Sequence, residues 1–176
     1  MTKSMSGLSF KLMSVGFKLR DLLRPRSDVL KEAGIEPGSV VLDFGCGPGG
    51  YIEPLVELVG PSGSIYALDK HPLSIHEVKK IAKRKRFEII ETIESDCRTG
   101  LADNSVDAVL LYDVFHNLVR PDEVLRELHR VLKPDGTLSF SDHHMKEEEV
   151  LRQMTVSGIF RFVRKGRNTY SLAKAD

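Results

Sequence analysis

From Ser39 onward, short apolar runs alternate with stretches whose apolar residues recur every three or four positions. That alternation predicts an α/β chain, in which parallel strands are joined by crossover helices. Ser39–Phe44 predicts a buried strand, bounded before by the turn Pro37-Gly38 and after by glycines. Ile52–Val59 predicts a short helix with Pro54 in its tolerant first turn, and Gly60, Pro61 and Gly63 break it. Ser64–Asp69 predicts a second strand, followed by a helix from about Pro72, a favourable place for proline.

Phe87–Ile93 predicts the third strand, and Val106–Tyr112 the fourth, apolar on both faces as a central parallel strand should be. Pro121 opens a helix whose stripe is Val124, Leu125, Leu128, Val131 and Leu132, and Lys133-Pro134-Asp135-Gly136 stops it. Thr137–Ser141 predicts the fifth strand, and a helix follows near Lys146–Ser157. Ile159–Arg164, the turn Lys165-Gly166 and Asn168–Leu172 predict an antiparallel hairpin across 159–172. The whole reads as a doubly wound, mostly parallel sheet of seven strands, closed by that C-terminal hairpin. Ligands in such sheets sit at the carboxyl ends of the strands, where strand order reverses.

Composition narrows the field. At 176 residues, 41% hydrophobic and 29% charged, the chain has the size and apolar content of a single domain, 1–176. No stretch approaches the roughly 20 apolar residues of a membrane-spanning helix. Cys46 and Cys97 are too few for a disulfide framework or a four-cysteine zinc site, which suits a cytoplasmic protein and predicts no metal centre. The 12 Phe and Tyr, with no Trp, give no sign of an aromatic nucleic-acid surface.

Net charge is +1, but both ends are basic and the body between them is acidic. Such ends can steer an anionic substrate or form no more than a solvated surface. Lys79, Lys80, Lys83, Arg84, Lys85 and Arg86 close a predicted helix, where cations suit the negative end of the dipole, and argue poorly for a nucleic-acid patch. Leu8, Leu12, Val15, Leu19 and Leu22 recur at helical spacing. Residues 1–30 are therefore expected to form an amphipathic segment covering the ligand cleft, although the lysines and serines of the first twenty residues also suit a targeting presequence.

The sharpest chemical feature is Val40-Val41-Leu42-Asp43-Phe44-Gly45-Cys46-Gly47-Pro48-Gly49-Gly50. A strand runs into a bend with little side chain, which lets a ligand approach the backbone and the N–H groups of the next helix. Gly45, Gly47 and Gly50 also satisfy the dinucleotide fingerprint, with Asp69 where a ribose-binding acid belongs, so a small NAD(P)-dependent oxidoreductase is a rival. Asp43 opposes it. A carboxylate at the strand tip would repel a pyrophosphate but welcome a ligand with a cationic amino group.

These residues resemble the class I S-adenosylmethionine-dependent methyltransferases, in the small-molecule branch near ubiquinone and menaquinone biosynthesis (type 11). The likeness covers about residues 36–142. Val40–Gly50 is similar to the family's first motif, which implies that Asp43, Gly45, Cys46, Gly47 and Gly49 cradle the methionine part of the cofactor. Ile65–Lys70 resembles the second motif, which implies Asp69, with Lys70 beside it, at the ribose. Glu94-Ser95-Asp96-Cys97 resembles the third, which implies Asp96 and Cys97 at the adenine. Asp103–Val109 and Leu132–Leu138 match the approaches to the fourth and fifth strands. Tyr112 is expected to line the cofactor pocket.

The resemblance implies a Rossmann-like fold and an enzyme that binds S-adenosyl-L-methionine, releases S-adenosyl-L-homocysteine and methylates an unidentified small molecule. A non-catalytic cofactor-binding or partner module remains an alternative, and a homodimer is left open. Candidates for a catalytic base are weak: Tyr112, Asp113, His116 and Asn117 after strand four, and Asp142, His143 and His144 after strand five. Tyr112–Leu118 resembles a stretch in which the family carries a similar histidine whatever the acceptor, which implies a structural role for His116. Adjacent residues on extended chain point apart, so Asp142, His143 and His144 are not expected to converge on a metal.

Overall fold

In the computed structural model, which describes residues 26–155 and 158–175, the chain enters through the short helix α1 (Arg26–Lys31). β1 (Val40–Phe44) leads through the glycine-rich bend to α2 (Ile52–Val59), and β2 (Ser64–Asp69) leads to α3 (Pro72–Lys85). β3 (Ile90–Glu94) precedes β4 (Val106–Tyr112), and a tight helical turn, Phe115–Asn117, separates β4 from α4 (Pro121–Val131). β5 (Leu132–Ser141), α5 (Glu147–Thr155) and the hairpin strands β6 (Phe160–Lys165) and β7 (Tyr170–Lys174) complete the described chain.

One sheet holds seven strands in the order β3-β2-β1-β4-β5-β7-β6. β3, β2, β1, β4 and β5 pair in parallel, whereas β7 runs antiparallel to both β5 and β6. The doubly wound α/β sheet with a C-terminal hairpin is therefore borne out. Strand order reverses between β1 and β4, so the crevice at their carboxyl ends is the switch point where such sheets bind ligands.

Alternation along the strands builds a core on each face of the sheet. Val41, Ile65, Ala67, Ala108 and Leu110 pack with Leu30 of α1, Ile52 and Leu55 of α2, and Ile75 and Val78 of α3. Leu42, Phe44, Val109, Leu111 and Phe140 pack with Val124, Leu125, Leu128 and Val131 of α4 and Val150 and Met154 of α5. The stripe read on α4 is thus its buried face, except that Leu132 belongs to the next strand.

Several boundaries move, among them those of the hairpin strands, Phe160–Lys165 and Tyr170–Lys174, and two of the shifts have identifiable reasons. The third strand starts at Ile90, not Phe87, because Arg86 turns left-handed (φ 58°) and the Phe87 N–H still caps α3 through the Ala82 carbonyl. The fifth strand starts at Leu132, not Thr137. Leu132 pairs with Val106 and Thr137 with Ala108, so Lys133-Pro134-Asp135-Gly136 bulges out of a strand that has already begun. Asp107 ties this corner together: its carboxylate accepts from Lys133 Nζ at 2.6 Å and from the Val40 N–H at 2.8 Å. The helix expected at Lys146–Ser157 runs Glu147–Thr155, and 156–157 lie outside the described residues. Most of the N-terminal amphipathic segment, 1–25, lies outside them as well.

Candidate active site

β1 delivers Asp43 to its carboxyl end and then reverses through glycines. Gly45 and Gly47 have φ of 84° and 52°, a region L side chains rarely adopt. A Cβ on Gly45 would stand 2.2 Å from Val114 Cγ2, so the loop after β4 packs directly against the bend. At Gly47 a Cβ would meet nothing within 4 Å among the described residues, so the backbone there is bare on that side. Asp69, at the tip of β2, fastens this backbone: its Oδ2 accepts from the Gly47 N–H at 2.9 Å and its Oδ1 from the His71 N–H at 2.8 Å. Each oxygen keeps a lone pair for a further donor.

Asp43 is 3% exposed, and its Oδ2 is buried with no hydrogen-bond partner among the described residues. Burial pushes its pKa up to about 7, with Asp69 adding to the rise and Arg26 opposing it. Buried carboxylates are normally satisfied, so an acceptor left without a partner among the described residues, at a ligand crevice, marks a place for a further donor. Arg26, at the start of α1, was missed by the sequence reading. A Cβ on Gly50 would lie 1.2 Å from its Nη1, and its guanidinium sits 4.7 Å from the centroid of the Tyr51 ring. Nothing in the sequence near Arg26 signals this placement, because its partners come from another segment.

The remaining cofactor candidates are spread around the crevice. Cys46 is buried, its thiol held well above the usual range by burial and by the nearby carboxylates Asp43 and Asp69. Lys70 is exposed beyond β2. The Asp96 side chain is 67% exposed and 3.6 Å from Arg120 Nη2, while Cys97 beside it is buried, with its N–H donated to Ser95 Oγ at 3.2 Å. The segment that follows is clamped to α4, because Glu127 accepts from the Thr99 N–H at 2.8 Å and from its hydroxyl at 2.6 Å. Tyr112 is buried, shares a 2.7 Å hydrogen bond with Ser139 Oγ and leans on Tyr51 with ring centroids 5.2 Å apart.

At the ends of β4 and β5 the four acidic and basic candidates pair crosswise. His116 Nδ1 lies 2.9 Å from both oxygens of Asp142, and His143 Nδ1 lies 2.6 Å from Asp113 Oδ1. Each loop thus supplies an acid to the other loop's histidine. The Asp142 side chain is wholly buried and the His116 side chain 23% exposed, whereas His143 is 55% exposed. His144 packs its ring 4.2 Å from that of His116. Among the described residues, no group of three or more His, Cys, Asp and Glu is arranged to hold a metal.

Residues 42–140 match the model of the methyltransferase domain family. The chain belongs to that family. The resemblance to class I S-adenosylmethionine-dependent methyltransferases of the type 11 branch is therefore borne out. A demethylmenaquinone methyltransferase of Geobacillus stearothermophilus is 32% identical over 127 residues, which are 70% of this chain and 53% of the relative. Another from Lysinibacillus sphaericus is 31% identical over 131 residues, 73% of this chain and 55% of that protein. The chain spans about half the length of these curated relatives. A solved S-adenosylmethionine-dependent methyltransferase from Aquifex aeolicus superposes with a TM-score of 0.78 at 26% identity, covering 88% of this chain and 92% of that one. A structure from Methanococcus maripaludis shares the fold, with a TM-score of 0.79 at 18% identity over 100% of this chain and 98% of the other.

Proposed function

We propose that this chain is an enzyme that transfers a methyl group from S-adenosyl-L-methionine to a small-molecule acceptor, with residues 36–142 as its cofactor-binding core. The observation that carries this reading is Asp43 Oδ2, buried and without a hydrogen-bond partner among the described residues, at the end of the strand that leads into the Gly45–Gly47 bend. A pyrophosphate placed there would meet a buried negative charge, so the nicotinamide reading loses support. A cationic amino group would instead supply the missing donor and hold Asp43 ionised.

The bound cofactor would supply a methyl group on a positively charged sulfur. The protein's part is alignment in a dry crevice. Asp43 and the bare backbone at Gly47 would hold the methionine end, and Arg26, a cation over Gly50, lies where it would face the carboxylate of that end. The free lone pairs of Asp69 suit the two ribose hydroxyls, and buried Cys97 with its neighbour Asp96 would flank the adenine. The aligned relatives bear the name of demethylmenaquinone, which supports a small acceptor rather than a nucleic acid. No helix among the described residues is long and apolar enough to cross a membrane, and the cytoplasm is the proposed site of action. Phe162 and Val163, exposed on the outer strand β6, are where a homodimer would form.

Calorimetry with S-adenosylhomocysteine and, separately, with reduced nicotinamide dinucleotide tests this. Binding of the first, weakened by Asp43→Asn, is expected. Binding of the dinucleotide alone would overturn the proposal. Cofactor binding without label transfer to any fraction of a cell extract would leave a binding module in its place.

A further inference from the structure

Between the start of α4 and the second half of α5 lies a cavity of about 310 Å³, lined among the described residues by Phe115, Pro121, Asp122, Arg152 and Gln153. Phe115 and the first turn of α4 stand at the carboxyl ends of the strands, the side of the sheet that carries the glycine bend. The cavity and the bend also share a loop. A Cβ on Gly45 would lie 2.2 Å from Val114 Cγ2, and Phe115, next in the chain, is a wall of the cavity.

This lining is not that of a packing gap. Empty spaces in folded proteins have apolar walls, whereas Asp122, Arg152 and Gln153 bring polar groups to this one. Glu148 and Glu149 precede Arg152 by four and three positions, the spacing at which acids pair with arginine on a helix. Yet among the described residues Arg152 makes no ion pair or hydrogen bond, and neither does the Asp122 carboxylate. The two line one cavity without pairing with each other. Gln153 Nε2 donates to Glu149 Oε1 at 3.0 Å, which leaves its own carbonyl oxygen as an acceptor. Phe115 is 5% exposed and meets Phe140 edge-on with centroids 5.7 Å apart, so its ring is fixed in place.

We propose that this cavity binds a small organic acid: a carboxylate on a compact ring, with a hydrogen-bond donor elsewhere on that ring. The Arg152 guanidinium presents a planar fork of N–H donors that matches the two oxygens of a carboxylate. Phe115 and Pro121 cover the flat body of the ligand, and Asp122 with the Gln153 carbonyl receives its donor. A volume near 310 Å³ is at the small end for ligand sites, which suits a single ring and not a long apolar tail. A neutral ligand would leave Arg152 unmatched, and one anionic at both ends would meet Asp122. On the methyl-transfer reading above, on which this second step rests, the occupant is the acceptor. The shared Val114–Phe115 loop sets it beside the bend proposed for the cofactor. Arg152 then selects the acceptor by its acid group and takes no part in the transfer itself.

The test uses the full chain and three probes of one shape: 4-(hydroxymethyl)benzoate, its neutral amide 4-(hydroxymethyl)benzamide, and 4-methylbenzoate, which lacks the donor. In an NMR titration the first probe should shift signals of Phe115, Arg152 and Gln153, and bind about 10-fold or more tightly than the amide. Arg152→Ala should bring the acid down to the amide's affinity. Asp122→Asn should bring it toward that of 4-methylbenzoate. Arg126→Ala removes the same charge from the exposed face of α4 and should change nothing. Equal binding of acid and amide, wild-type binding in Arg152→Ala, an equal loss in Arg126→Ala, or shifts confined to other residues would each overturn the site. For the second step, methyl-labelled S-adenosylmethionine and a cell extract should place label in the acidic small-molecule fraction. Arg152→Ala should slow that labelling about 10-fold with the affinity for S-adenosylhomocysteine unchanged. Label in the neutral fraction alone would overturn the acceptor assignment. Failure to bind S-adenosylhomocysteine would instead bring down the methyl-transfer reading, while the probe titration would still decide the cavity.

Discussion

Gly47 donates its backbone N–H to Asp69 Oδ2 at 2.9 Å, so the tip of β2 holds the bend that follows β1. The carboxylate therefore serves two ends, shaping bare backbone on one side and offering lone pairs to the crevice on the other. Asp69→Ala should weaken S-adenosylhomocysteine binding by about 1–3 kcal/mol, the usual loss when a charge-assisted contact goes. Amide exchange at Gly47 should quicken as well. Calorimetry and hydrogen exchange on the same variant check both, and an unchanged affinity would remove Asp69 from the site.

Asp43 makes the site sensitive to pH in two opposite ways. Its pKa is raised by burial from the ordinary 3.8 to about 7, so the folded protein without ligand binds a proton there that the unfolded chain has released. That contribution to stability is present at low pH and is lost as pH rises toward about 7. Cofactor binding needs the ionised form, and its affinity should therefore fall as pH drops below about 7. Asp43→Asn should make the ligand-free protein more stable above neutral pH while abolishing most cofactor affinity. Thermal unfolding and calorimetry across the pH range 5–9 separate the two effects.

Elements written in local pattern are legible in the sequence: the apolar runs of β1 and β4, the α4 stripe, and the hairpin around Lys165-Gly166. So is the glycine bend, because a run of glycines after a buried strand has few other uses. What the sequence hid depends on contacts between distant segments. The crossed pairs His116–Asp142 and His143–Asp113 join residues that are 26 and 30 positions apart, and no periodicity links them. Arg26 was invisible for the same reason, and β5 looked shorter than it is because Pro134 and Gly136 read as a stop rather than a bulge.

Glu127 anchors the proposed adenine side. It takes two hydrogen bonds from Thr99 and two from Arg130, whose Nη1 reaches on to the Leu101 carbonyl at 2.8 Å. The Arg130 hydrogen bonds, aided by those from Thr99, outweigh burial and hold its pKa down at about 2. Stability from this carboxylate is complete above the ordinary value of 4.5 and is lost as pH falls through about 2. Glu127→Gln should flatten that acid-side loss and loosen residues 95–101. Acid unfolding curves and amide exchange at Thr99 check it, and an exchange rate equal to wild type would contradict the clamp.

Glu32 is the corresponding joint at the other end of the sheet. Just beyond α1, its carboxylate accepts from the backbone and side chains of both Asn168 and Thr169, at 2.9 to 3.2 Å, in the turn between β6 and β7. Burial alone would raise its pKa, but these donors outweigh it and the net shift is downward. Removing the acceptor strands four donors at once, and a buried donor left unmade costs about 1–3 kcal/mol. Glu32→Ala should therefore lower stability by an amount of that order, while Glu32→Gln, which keeps one acceptor oxygen, should lose less. Since α1 also carries Arg26 to the glycine bend, the Ala variant should weaken S-adenosylhomocysteine binding although Glu32 touches no part of the crevice. Denaturant unfolding of both variants, set beside calorimetry, decides the matter: lost stability with wild-type affinity would show that α1 holds Arg26 in place without help from the hairpin.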